Sequence, residues 1–145
     1  IMEDKELLEY IYKTVNMGAH SSEKLLENLK DKDNKIKDAI EDIKKEYLKF
    51  QKELKKDTKK YKKDLEDIGL MAKLGSSMEM KMEVMKDNSD SKIADMLIRG
   101  LTMGVVETEK YIHKLEEKTD KDIVKLAKDL LDFQNESIKK LKEYL

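Results

Sequence analysis

The chain has 145 residues, 43% of them charged, and contains neither Pro nor Cys. Its 31 basic residues are balanced by 32 acidic ones, which excludes a global field able to draw in nucleic acid or a membrane surface. The missing Cys excludes disulfides and thiolate metal sites, and no apolar run approaches the ~18 residues needed to span a bilayer. The length suits one domain with a real core, and high charge without Pro favours long helices. The acidic start, Ile1-Met2-Glu3-Asp4, is unlike a secretory leader, so a cytoplasmic address is expected.

In chain order, the first helix is predicted over about residues 4–30. Leu8, Ile11, Val15, Gly18, Ser22, Leu25 and Leu29 alternate three and four apart, a heptad seam that Tyr12, Ala19 and Leu26 widen into a core-facing stripe. A polar turn at 31–34 follows, with Asp33 a candidate N-cap for the second helix. That helix carries Ile36, Ile40, Ile43, Tyr47, Phe50, Leu54 and Tyr61 in register. Asp57 interrupts the register and marks where the helix leaves the bundle. Lys52, Lys55, Lys56, Lys59, Lys60, Lys62 and Lys63 form a basic run without Arg, read as a solvated helix end and not a nucleic-acid surface.

A connector is expected over about 63–89. Ile68, Met71, Leu74, Met78, Met82 and Met85 fall on one face of it at helical spacing, an adaptable packing surface. The third helix repeats the first: Ala94, Leu97, Leu101, Gly104, Thr108, Tyr111 and Leu115, widened by Ile98, Val105 and Ile112. The fourth, introduced by Thr119-Asp120-Lys121-Asp122, carries Ile123, Leu126, Leu130, Phe133 and Ser137. It also bears a second stripe of Val124, Ala127, Leu131, Ile138, Leu141 and Leu145, which must be covered by the connector or by a second subunit.

The two halves are related. Met17-Gly18 with Glu23-Lys24 recurs as Met103-Gly104 with Glu109-Lys110, and Phe50-Gln51 with Glu53 recurs as Phe133-Gln134 with Glu136. A two-helix unit is therefore used twice, with hairpin 1 over about 4–62 and hairpin 2 over about 90–145. Short turns make each pair an antiparallel hairpin. A connector of this length, if helical at ~1.5 Å per residue, covers the ~40 Å of a lengthwise crossover. The expectation is a single all-α domain, a four-helix bundle of two duplicated hairpins.

Such an arrangement resembles the ferritin-like superfamily, in particular a family of small bacterial ferritin-like domains, with a more distant similarity to the spore-coat F type. The segment from Arg99 to Glu109 and the Phe-Gln-x-Glu of each second helix carry the resemblance. It implies a di-iron site built from a Glu on each first helix and Glu-x-x-His on each second helix. Here Lys56 and Lys139 stand three residues after Glu53 and Glu136, so both His ligands are missing. The inward mid-bundle positions are apolar or small, whereas hard and borderline metals need carboxylate or imidazole. A ferritin-like fold without the di-iron centre is expected.

Residual metal candidates are His20 with Glu23 and Glu109 with His113, but the heptad phase turns them away from the core. Gly18 and Gly104 interrupt good helices at a cost of ~1 kcal/mol each relative to Ala, read as room for Tyr47, Phe50, Leu130 or Phe133. No phosphate loop or nucleophile elbow occurs. The expected function is a non-catalytic structural or interaction protein without cofactor, partnering neither nucleic acid nor membrane. Self-association is expected through Met71, Met78, Met82 and Met85, or through the stripe of Leu131, Ile138, Leu141 and Leu145. The alternatives are a metal-binding or oxidative-stress protein with a non-standard site, and a spore-associated component.

Overall fold

The computed structural model describes residues 2–57 and 87–145. These build an all-α bundle of four helices: α1 (Met2–Asn28), α2 (Lys37–Asp57), α3 (Asp90–Leu115) and α4 (Lys121–Leu141). Single 3-10 turns follow α3 at Glu116–Lys118 and α4 at Lys142–Tyr144. The basic run beyond Asp57, Tyr61 and the methionine face at Met71, Met78, Met82 and Met85 lie outside the described residues.

The apolar spacing of α1 places Leu8, Ile11, Val15, Ala19 and Leu25 in the core, with Leu29 just beyond its end. Each fully buried Leu or Ile contributes about 1.5–3 kcal/mol of transfer free energy. Leu7 and Asn16, outside the predicted seam, are buried as well. In α2, Ile40, Ile43, Tyr47, Phe50 and Leu54 are buried at the predicted register.

The start of α2 differs from the expectation. The helix begins at Lys37, not near Asp33. The Asp90 carboxylate accepts from the backbone N–H of Lys35 at 3.2 Å and of Ile36 at 3.5 Å, and from the Asn34 amide at 2.9 Å. Residues 34–36 are thereby held as a turn ahead of the helix. Asp90 is also the first residue of α3, whose N-cap Ser89 accepts from the Lys92 N–H. One negative charge thus sits beside the positive ends of two helices. At α4, Asp120 is the N-cap and accepts from the Asp122 N–H, as Thr119-Asp120-Lys121-Asp122 predicts.

Helix α1 packs on α2 and α3 on α4; α1 also touches α3 and α4, and α2 meets α4. Asn16 bonds Gln51, and Tyr47 lies against Gly18; Thr108 bonds Gln134, and Glu116 pairs with Lys128. Between the pairs, Glu6 meets Lys114 at 2.7 Å and Tyr10 stacks on Tyr111 with centroids 4.1 Å apart. Asn34 donates to the Asn88 carbonyl. Asn88 and Asp90 therefore lie beside the start of α2.

The second stripe of α4 is largely inside the bundle. Val124, Ala127 and Leu141 are buried core residues and Leu131 and Ile138 are half-buried, leaving Leu145 exposed. An α-helix drifts about 20° per heptad against a 3.5-residue repeat, so a seam counted in heptads loses its phase along α4. The buried positions in its second half include Leu130, Gln134, Ser137 and Leu141. Phe133, placed on the seam by the heptad count, is half-buried.

Candidate functional site

Mid-bundle, the inward positions hold a polar ladder set among aromatic rings. Gly18 and Ser22 on α1 stand four residues apart, as Gly104 and Thr108 do on α3. The Ser22 hydroxyl donates to the Gly18 carbonyl and the Thr108 hydroxyl reaches the Gly104 carbonyl, each at 2.7 Å. Thr108, fully buried, also lies 2.9 Å from Gln134 Oε1 and 2.7 Å from the Tyr10 hydroxyl. Tyr10 Oη is 3.4 Å from the Gly104 carbonyl. Two hydroxyl protons serve this cluster: Tyr10 donates toward Thr108 or Gly104, and Thr108 toward Gly104 or Gln134. Between α1 and α2, Gln51 Nε2 donates to Asn16 Oδ1 at 2.6 Å.

The rings lie beside this ladder. Tyr47 meets Phe133 edge to face with centroids 4.8 Å apart, and Phe50 lies 5.7 Å from the same ring. Burial pushes the Tyr47 phenol far above its ordinary value. Tyr10 is raised too, chiefly by burial, with its Thr108 hydrogen bond acting in the opposite direction.

The two glycines serve packing. At Gly18 the neighbour is the phenol end of Tyr47; at Gly104 it is the Gln134 amide, whose Nε2 lies 2.8 Å from where a Cβ would stand. The expected room for an aromatic ring is thus found at Gly18, while at Gly104 an amide takes the place of Leu130 or Phe133.

Two clefts open where the pairs of helices meet. Between α1 and α3 lies one of about 480 Å³, walled by Met17, Met96, Leu97, Leu101 and Met103, with Tyr47 and Gln134 also in its lining. Between α2 and α4 lies one of about 570 Å³, with Ile43, Phe50, Leu126 and Phe133 beneath a rim that includes Asp42, Glu46, Asp129 and Asp132. Glu53 and Glu136, the carboxylates that the resemblance aligns with metal ligands, are exposed on the rim of this second groove. Lys56 pairs with Glu53 at 3.7 Å.

The metal candidates are not gathered. Glu23, Glu109 and His113 are exposed and His20 is half-buried. Among the described residues, no group of three or more His, Asp or Glu side chains converges. Lys52, Lys55 and Lys56 are exposed along the end of α2. No helix of the described residues is long and apolar enough to cross a membrane.

Sequence reasoning missed Tyr10, Asn16 and the inward placement of Gln134. The recurrence of Gln51 and Gln134 after Phe in both halves was the available signal, since each amide bonds a polar residue on the first helix of its own pair. The chain matches no protein-family model, no curated protein and no solved structure.

Proposed function

We propose that this protein is a non-catalytic interaction protein built on a ferritin-like bundle of two duplicated antiparallel hairpins. The sense of the contacts supports that topology. Glu6 pairs with Lys114, near the other end of the sequence span of α3, and Asn34 with Asn88 and Asp90. The shared hydroxyl-to-glycine bonds at Ser22–Gly18 and Thr108–Gly104 support the duplication.

The observation that carries the functional reading is the chemistry of the mid-bundle donor set. The ferritin-like resemblance implies carboxylates and imidazoles turned inward. Here the inward groups are Asn16, Tyr47, Phe50, Thr108 and Gln134, amides, hydroxyls and rings in place of carboxylates and imidazoles. Neutral amides and hydroxyls are weak ligands for iron compared with carboxylate and imidazole. A scaffold freed of metal in this way serves recognition through its clefts and surfaces.

The test is elemental analysis of natively purified protein, followed by Fe(II) addition in air. No stoichiometric metal and no acceleration of iron oxidation is the expected result. One or two tightly held ions per chain, with faster oxidation, overturns the reading.

A further inference from the structure

We propose that the cleft between α1 and α3 is a binding site for a small, neutral, mostly apolar molecule bearing one hydrogen-bond acceptor, which the side-chain amide of Gln134 receives. The inference rests on reading the bundle as a metal-free binding scaffold, and it adds the site and the class of ligand.

Gln134 is 1% exposed and lines the cleft. Its Oε1 is engaged by Thr108 at 2.9 Å. Its Nε2 carries two N–H donors, lies beside Gly104, and has no acceptor among the described residues. The nearby Gly104 carbonyl is already approached by the hydroxyls of Thr108 and Tyr10. Among the described residues the sealed side-chain atom without a partner is Thr119 Oγ1 and not Gln134 Nε2, so this amide nitrogen reaches the cleft, where an acceptor on a ligand can meet it. Gly104 keeps the approach open, because a Cβ there would meet the amide.

The walls define the rest of the ligand. Met17, Met96, Leu97, Leu101 and Met103 are apolar and adaptable. Glu107 is the charged residue among the described residues that line the cleft, and none of those is a cation, so an anionic ligand is disfavoured and a neutral one favoured. The volume of about 480 Å³ lies within the range of small-molecule pockets, roughly 300–1,000 Å³. A partner helix fits less well. Stable protein interfaces cover about 800 Å² on each side, whereas here the donor lies beneath the helix surface, where a compact molecule reaches it and a helix backbone does not.

Benzophenone and diphenylmethane, which differ by one carbonyl oxygen, test this on the full chain by amide proton–nitrogen correlation spectra. Benzophenone is expected to shift the Gln134 side-chain amide and to bind about fivefold tighter than diphenylmethane, the value of one neutral hydrogen bond. Gln134→Leu should abolish that preference and leave diphenylmethane binding within about twofold. Leu101→Trp, which fills the cleft, should weaken both about tenfold or more. If Leu101→Trp fails to fold by circular dichroism, Met103→Trp on the exposed side of the wall replaces it. Failure of both compounds to bind, equal binding of the two, or binding indifferent to the filling variant overturns the proposal. A parallel titration with Fe(II) and Zn(II) separates the two readings: metal-induced shifts at inward residues sink the metal-free scaffold, while absence of ligand binding alone sinks only the cleft.

Discussion

The hydroxyl-bearing end of the Tyr47 ring fills the space that a Cβ on residue 18 would take. A glycine in a helix interior costs about 1 kcal/mol relative to Ala, and here that cost admits an aromatic ring that is 6% exposed. The ring in turn packs edge to face on Phe133, so a missing side chain on α1 is what lets α2 reach α4. The other described glycines differ. At Gly104 the neighbour is the movable end of Gln134, and at Gly100 nothing lies within 4 Å.

Three alanine substitutions should therefore rank in a fixed order. Gly100→Ala gains helix propensity without a clash and should stabilise by about 1 kcal/mol. Gly104→Ala displaces a flexible amide, so its cost should roughly cancel the same gain. Gly18→Ala forces the Tyr47 ring to move and should destabilise by about 1–3 kcal/mol, the usual cost of overpacking. Urea unfolding midpoints at unchanged slope give the comparison. Stabilisation by Gly18→Ala as large as that by Gly100→Ala would mean the ring is not held in the notch.

Much of the helical frame was legible because it rests on apolar spacing. Leu8, Ile11, Val15, Ala19, Ser22, Leu25 and Leu29 recur every three or four residues, and all are buried. Leu7 was missed because a heptad count admits only one of two adjacent leucines, whereas a helix with neighbours on several sides buries both. Gln134 was missed for a different reason: residue type argued against burial. Its Thr108 partner is 26 positions away, and no local pattern encodes that pairing. Asp90 illustrates the same limit. Its sequence neighbours mark it as the first turn of α3, but nothing local says that its carboxylate also fixes where α2 begins.

Asp90→Ala should consequently loosen two helix starts at once. Losing a capping acceptor typically costs about 0.5–2 kcal/mol, and here the carboxylate receives the Lys35 and Ile36 amides together with Asn34. A loss near the upper end, about 2 kcal/mol, is expected. Asp90→Asn keeps an acceptor oxygen but removes the charge beside two helix N-termini, a loss of about 0.3–1 kcal/mol. Hydrogen exchange should accelerate in the first turns of α2 and α3 together. Acceleration confined to α3 would show that the carboxylate does not hold the α2 turn.

The buried pair Thr108–Gln134 should be strongly non-additive. Thr108→Val keeps the shape but strips Gln134 Oε1 and Tyr10 Oη of their shared partner, so it should cost about 1–3 kcal/mol. Gln134→Leu leaves Thr108 with the Gly104 carbonyl at 2.7 Å and should cost less. The double variant replaces both polar groups by apolar ones and should be less destabilised than the sum of the singles by about 1 kcal/mol or more. Additive losses in the double-mutant cycle would mean that the two side chains do not interact.

Alkaline pH should unfold this bundle through two tyrosines. Tyr10 and Tyr47 both sit above the ordinary phenol value of 10.0, chiefly because burial disfavours the phenolate. A folded-state value above the unfolded one means that the native protein holds the proton more tightly. The corresponding stability is complete below about pH 10 and is lost as the pH rises through the folded values. The phenolate ultraviolet band should accordingly show a late stage above pH 10, in which Tyr10 and Tyr47 ionise as the helices melt. Tyr47→Phe should remove part of the late stage and move the alkaline transition upward, since the ring keeps its packing while the ionisable group is gone. A single rise near pH 10 with full native ellipticity would show that both hydroxyls reach water freely, and that neither phenol is closed into the bundle.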